Sequence, residues 1–370
     1  MPQLRARSNP PVPPPETGPE ACAAELAAVF TRVHGRGPEG IWWAPGRVGL
    51  LGDLFGCPGG PVLLSALPWG VAAAVSRTRD GSVDARTADG RRSRRLARRA
   101  AAALRAAAGA GLAEPSDGVR VVAGSALPSG TGLGAGPALE CAVLLALAET
   151  AGSGADRKAL ARAAPASAER GAVLRCAPGS VLSIDLGSGR GRTLPFDTAA
   201  AGLVPLLIGA GGPGPRRSRR TARRRLAECG RAAGRLGVAD LRAIEDLPGA
   251  LRELRDPVLR GRVQHVVTEA NRVHAGAGLL RAGVPAELGA VLTASHLSMQ
   301  GSFAATSAEV DLSVQRAVGS GARGARTAGD RIGGAVVALV AEDRTEQVRA
   351  ALSGAWAQAA PPSDGARRLR

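Results

Sequence analysis

The chain of 370 residues contains no Tyr and a single Lys, Lys158, and its aromatic content is only 2%. Stacking platforms for bases are therefore nearly absent, which argues against sequence-reading of single-stranded nucleic acid. No apolar run reaches the roughly 18 residues of a membrane span without charge or turn residues. The first residues, MPQLRARSNPPVPPPETGPE, hold no apolar core behind their basic residues, so no secretory leader is expected there. Cys22, Cys57, Cys141, Cys176 and Cys229 are odd in number, scattered and free of any C-x-x-C pair. That excludes a disulfide framework and a structural zinc site, and a cytoplasmic location is expected.

What is present is apolar residue and arginine. Hydrophobic residues make up 45% of the chain, ample for a packed core. The formal charge is +17, carried almost wholly by Arg. With Ala and Gly abundant, this reads as a compositional bias and not as selection for a polyanionic partner. Nucleic-acid binding through the runs 91–99 and 216–225 is expected to be weak, nonspecific and salt-sensitive. The length implies two domains. Residues 1–19 read as a disordered Pro-rich tail, 20–198 and 199–360 as the N- and C-terminal domains, and 361–370 as a basic tail.

Periodicity predicts helices over 21–33 and 91–108, and short strands joined by tight turns over 40–76. A strand over 119–127 runs through a Gly-rich turn into a long apolar helix from about residue 138 to 151. Strands follow over 181–186, 192–196 and 202–210. The chain is then mostly helical to 281, with a late strand over 335–341. The turn, LPSGTGLGAG, is the segment richest in chemistry. Amides at a helix start point towards an approaching anion, the macrodipole favours it, and Gly permits close backbone approach. The turn has no Lys, so it is not a P-loop; taken alone, a structural corner explains it equally well.

Three blocks in order change the reading. Gly46, Arg47, Val48, Leu50, Gly52, Gly59 and Gly60 fit the motif Gly-Arg-Val-Asn-Leu-Ile-Gly-Glu-His-Thr-Asp-Tyr-Asn-Gly-Gly. Pro128, Gly132 and Leu133 fit Pro-x-x-x-Gly-Leu-Ser-Ser-Ser-Ala, with Ala138 one residue beyond its last position. The stretch 260–273, Ala294–Ser295–His296 and Glu309–Val310–Asp311 also match. In these residues the chain resembles the galactokinases of the GHMP kinase superfamily over roughly residues 25–355.

The resemblance implies a two-domain α+β GHMP kinase fold, with a ribosomal protein S5 domain 2-like N-terminal domain and a GHMP C-terminal domain. It implies ATP and Mg2+ as cofactors, a small-molecule sugar substrate, no membrane association and a monomer. Arg47 is placed as the catalytic arginine and Asp53 as a substrate-binding residue. Gly130, Gly132, Leu133, Gly134, Ala135 and Gly136 are placed at the nucleotide, and Glu169 at the metal.

The same alignment shows departures. The Glu-His-x-Asp sugar clamp becomes Asp53-Leu54-Phe55-Gly56. The Gly-Ile-Met-Asp-Gln segment that carries the family's base has no counterpart after Glu169; a short deletion explains this, and Asp185 is a poor substitute because of its strand setting. The loop serines become Gly134-Ala135-Gly136-Pro137, and Pro137 has no N–H to donate. The late loop Thr-Gly-Gly-Gly-Phe-Gly-Gly becomes Ala328-Gly329-Asp330-Arg331-Ile332-Gly333-Gly334, in which Asp330 repels phosphate and Arg331 attracts it. Galactose phosphorylation is expected to be impaired, the alternative being an inactive homologue that acts as nucleotide sensor or partner. His265 and His296 are expected to serve packing.

Overall fold

A computed structural model describes residues 13–14, 18–54, 59–114, 116–152, 160–161, 168–352, 355–363 and 365–369. Most of the Pro-rich segment 1–19 lies outside these residues, as do Phe55, Gly56 and Cys57.

The first sheet is built from β1 (Gly40–Leu51), β2 (Pro61–Thr78), β3 (Val83–Thr87), β4 (Gly118–Ser125), β5 (Ser180–Asp185), β6 (Gly191–Pro195) and β11 (Arg367–Leu369). Its order is β11-β1-β2-β4-β3, and β5 pairs with β2 and β6. Among the described residues only β3 and β4 run parallel. The sequence reads β2 as several short strands, whereas it is one strand. Its Pro68–Trp69 fall at a bulge, where the pairing jumps from Pro45–Gly70 to Arg47–Ala66. Proline is tolerated there because no ladder N–H is needed. Gly70 marks a close approach and not a turn: a Cβ on it would lie 2.1 Å from the Ala44 carbonyl oxygen.

The second sheet, β10-β7-β9-β8, comprises β7 (Leu203–Gly211), β8 (Gly324–Thr327), β9 (Gly334–Ala341) and β10 (Trp356–Ala359). The 361–370 segment is not simply a basic tail. Residues 367–369 return to the first sheet and pair with Ile41–Trp43. Arg367 lies over the Trp43 ring and Arg368 over the Trp42 ring, at 5.0 and 5.1 Å from the centroids. Cation–π contact and burial of Leu369 outweigh the charge that makes the segment look solvated.

Among the described residues ten α-helices pack on these sheets: α1 (Ala23–His34), α2 (Arg94–Gly109), α3 (Ala135–Thr150), α4 (Ala168–Arg175), α5 (Pro215–Arg235), α6 (Leu247–Glu253), α7 (Pro257–Arg281), α8 (Leu288–Gly301), α9 (Ala308–Gly319) and α10 (Thr345–Ala351). The helix α3 is apolar apart from Glu140, which is paired with Arg99 and Arg170, and all twelve residues from Pro137 to Ala148 are buried. A helix without a polar face belongs in a core, and α3 forms the centre of this one. Val143 and Leu147 share one continuous cluster with Leu207, Val273 and Leu339, so the two halves have a common core. By contrast α2 buries Ala100, Ala103 and Ala107 and leaves Arg94, Arg95 and Arg98 outward, while Arg99 turns in to donate to Glu140 of α3 at 2.6 Å. On α5, Arg216, Arg217, Arg219, Arg220, Arg223 and Arg224 are likewise exposed. No helix among the described residues is long and apolar enough to cross a membrane. Cys22, Cys141, Cys176 and Cys229 are not disulfide-bonded.

Candidate active site

The site is organised by the outer edge of β1. Residues 41–43 of that edge are taken by β11, but further along the strand its backbone bonds go elsewhere. Register shifts between Pro45 and Arg47 and between Gly49 and Leu51 bracket a short stretch, and such irregularities re-aim side chains. Within it, the Arg47 amide donates to the Leu133 carbonyl at 2.9 Å and the Gly49 amide to the Ala328 carbonyl at 3.0 Å. Both Gly-rich loops, one from each half of the chain, are thus stitched to the same strand.

The first of these loops, 128–136, has Gly130, Gly132 and Gly134 at φ of 81, 75 and 83°, the left-handed region that excludes most side chains. Gly134 caps α3 without any side-chain hydrogen bond. The initial amides of α3, at Ala135 and Gly136, therefore carry the anion-attracting end of that helix. Thr131 does not replace the missing serines. It is buried, and its hydroxyl donates to the Pro128 carbonyl at 2.6 Å.

Arg47 is fully buried, and its guanidinium reaches into this loop. Nη1 donates to the Gly132 carbonyl at 3.0 Å, and Nη2 lies 3.3 Å from Asp330 Oδ2. The loop 328–334 packs directly on 128–136: the Asp330 amide donates to Gly132 at 3.1 Å, and a Cβ on Gly329 would lie 2.3 Å from the Thr131 carbonyl oxygen. The start of α5 closes the other side, where the Ile332 amide donates to Ser218 Oγ at 3.1 Å.

Past Gly49 the edge of β1 leads to Asp53. A cavity lined by Gly49, Gly52, Asp53, Arg326, Gly329 and Arg331 joins Asp53 to the loop carrying Asp330. A second cavity on the other side of Asp53 is lined by Gly60, Arg242, His265 and Glu269. The geometry therefore brings Arg47, Asp53 and the 130–136 loop onto one line. Glu169 is the second residue of α4, and its side chain lies outside the described residues.

Asp185 is not part of this grouping. In the β2 register it stands opposite Pro61, whereas Arg47 stands opposite Ala66. Five residues of strand separate the two positions, or about 16 Å along β2 at ~3.3 Å per residue. Asp185 instead caps the turn after β5, accepting from the Ser188 amide and hydroxyl at 2.8 and 2.7 Å. Burial raises its pKa, but the Ser188 bonds outweigh that and leave it below the ordinary carboxylate value.

Beneath Asp53 lies a buried ionic cluster. Glu269 Oε1 accepts from the Gly52 amide at 2.9 Å, Ser295 Oγ at 2.6 Å and Arg326 Nη1 at 3.4 Å. Its Oε2 accepts from Arg272 at 3.0 Å. Arg326 also donates to the carbonyls of Leu50 and Gly52. Burial would raise the Glu269 pKa, but Arg326, His265 and the Ser295 hydroxyl overcome it and hold the group at about 2. The cluster fixes the backbone from which Asp53 projects. Sequence reasoning places residues 260–273 only as a matching segment and misses this role. Glu269 and Arg326 are 57 residues apart, and no local spacing signals their pairing.

The two histidines are packing residues, as expected. His265 stacks on Phe303 with ring centroids 4.4 Å apart, and its Nδ1 lies 2.9 Å from Ser298 Oγ. His296 is buried against Asp311 at 3.3 Å. Burial lowers its pKa to about 4, against an opposing pull from Asp311. An unfolded chain takes up a proton near pH 6.5 that the folded form refuses until about pH 4. This contribution is therefore complete above pH 6.5 and is lost as pH falls towards 4. We expect the wild type to lose on the order of 2 kcal/mol between pH 7 and 4.5 through this group, and His296→Gln to flatten that window. Urea midpoints of both proteins at the two pH values provide the check; equal losses would rule the assignment out.

The described residues do not form a magnesium cage. The loop offers no hydroxyl oxygen at 134–136. Among the described residues no group of three or more His, Cys, Asp or Glu side chains is placed to hold a metal ion.

Residues 28–77 match the galactokinase galactose-binding signature, and residues 95–179 match the GHMP kinases N terminal domain. The chain is 34% identical over 386 aligned residues to the galactokinase of Streptomyces coelicolor, covering 95% of this chain and 99% of that one. It is 35% identical over 331 residues to the galactokinase of Mycobacterium tuberculosis, covering 82% and 90%. Lactococcus lactis galactokinase complexed with galactose has a similar structure, with a TM-score of 0.81 at 20% identity over 93% of this chain and 98% of that one. Mevalonate kinase from Methanococcus jannaschii is more distant, with a TM-score of 0.56 at 14% identity over 89% and 98%. The shared architecture is the α+β fold of the GHMP kinases.

Proposed function

Because this chain belongs to the galactokinase family, we propose that its cleft takes ATP on the 130–136 loop and a sugar beside Asp53, and that phosphoryl transfer to galactose is impaired. In this reading the Gly-rich turn and the first amides of α3 receive the phosphates. Arg47, always protonated, steadies negative charge between phosphate and acceptor. Asp53 accepts a hydrogen bond from a sugar hydroxyl, one methylene shorter in reach than the Glu of the family motif. Leu54 neither donates nor accepts, so part of the clamp is gone. Each lost hydrogen bond costs on the order of 1–3 kcal/mol of sugar binding. Magnesium enters with the nucleotide phosphates, the usual way for an ion that keeps few protein ligands.

The observation that supports impaired transfer most directly is the register of β5 against β2. It leaves the one substitute base named by the sequence, Asp185, about 16 Å along the sheet from Arg47. Transfer needs an acceptor for the hydroxyl proton within hydrogen-bond reach. The same observation favours the second reading, a nucleotide-binding homologue that performs no transfer.

Both readings require nucleotide binding, and thermal unfolding tests it. A ligand at ten times its Kd adds about 1.4 kcal/mol to the native state, or roughly 2 °C in midpoint for a chain of this size. MgATP at millimolar concentration should produce such a rise. An unchanged midpoint at about 10 mM MgATP would remove the support for a nucleotide site.

A further inference from the structure

The carboxylate of Asp330 occupies an unusual position for a loop residue. Its Oδ2 lies 3.3 Å from the buried Arg47 guanidinium. Its Oδ1 stands so close over the Gly-rich turn that a Cβ on Gly132 would lie 2.6 Å from it. Its backbone is tied to the same turn through the amide bond to Gly132. A negatively charged group therefore rests on the left-handed glycines, beside an arginine that reaches into them. An oxyanion of a phosphate group seeks the same surroundings: Gly backbone for close approach and a guanidinium donor.

We propose that Asp330 is an internal anion that occupies the phosphate cradle of the 130–136 loop, and thereby determines how tightly the loop takes phosphate ligands. A ligand that enters must displace the carboxylate from Arg47 or bear its repulsion at short range, where screening by salt is weakest. The side chain can yield, since it is one-third exposed. Arg331, whose Nε lies 3.7 Å from Asp330 Oδ1, is a cation positioned to receive the carboxylate when it leaves Arg47. The inference rests on the reading of 130–136 as a phosphate site, but its test is arranged to fail separately from that reading.

The probe is inorganic tripolyphosphate, which carries the phosphate chain without base or ribose. Its binding to the wild type, Asp330→Gly and Asp330→Asn is measured by calorimetry and by thermal midpoint. Asp330→Gly restores the residue of the family motif, and Asp330→Asn keeps the shape but not the charge. We expect both variants to bind tripolyphosphate at least tenfold more tightly than the wild type, equivalent to about 1.4 kcal/mol. Their midpoints should start lower, because Arg47 loses its carboxylate partner, and should rise further on adding the probe. Adding Arg47→Met to Asp330→Gly should abolish the gain. Equal affinity in wild type and variants overturns the proposal, as does a gain that survives Arg47→Met. Loss of galactose-dependent ADP release in Asp330→Asn, with tripolyphosphate affinity unchanged, also overturns it and makes Asp330 the proton acceptor. If Asp330→Gly gains affinity for tripolyphosphate but none for ATP, the cradle stands and the nucleotide reading falls.

Discussion

Replacing Glu269 by Ala should cost about 3–5 kcal/mol of stability, the range seen when one partner of a buried ion pair is removed. That is a large part of the ~5–15 kcal/mol that holds a typical protein together. The reason lies in what the carboxylate satisfies: the Gly52 amide, the Ser295 hydroxyl, Arg272 and the deeply buried Arg326. Without it, the Arg326 charge keeps two carbonyl partners and the attraction of Asp53 in a site of low dielectric, and its buried ion-pair partner is gone. The Glu269→Gln variant should fall between, since an amide oxygen still accepts from Gly52. Denaturant midpoints measure the effect, and a loss below about 1 kcal/mol for Glu269→Ala would show that the cluster does not anchor β1. The pH dependence has a definite sign. A carboxyl held at about 2 contributes fully above pH 4.5 and loses its contribution as pH falls towards 2.

The second large effect is on turnover. With saturating MgATP and galactose, ADP release should run at least ~10²-fold below the ~1–100 s⁻¹ of ordinary kinases, because a positioned base contributes ~10²–10⁴ in rate. The weakened clamp reduces it further, without simple additivity. A coupled assay of ADP formation, with and without galactose, gives the answer. Galactose-dependent release at several per second would refute the loss of chemistry and direct attention to a carboxylate outside the β2–β5 register. The Streptomyces coelicolor galactokinase serves as the positive control in the same assay.

These expectations depend unequally on sequence and on fold. The family could be read from ordered motifs, because Gly46–Arg47–Val48 and Pro128–Gly132–Leu133 are local patterns whose spacing survives without a structure. The central helix was equally legible: apart from Glu140 the run from Ala138 to Ala148 is apolar on all sides, and such a helix has only one place to go. The expected loss of the base rests on a segment of the family motif that finds no counterpart after Glu169.

Tertiary structure alone decided three other matters. The bond from Gly52 to Glu269 spans 217 residues, so nothing near Asp53 announces what holds it. Residues 367–369 look solvated by charge, yet the open edge of β1 and two Trp faces draw them into the first sheet. Asp330 reads from sequence only as a charge placed where Gly is wanted; that it rests on Arg47 follows from two loops meeting along one strand. The division has a physical basis. Backbone preferences and apolar periodicity act over a few residues and are printed in the chain, whereas ion pairs and sheet edges join residues whose proximity exists only once the chain has folded.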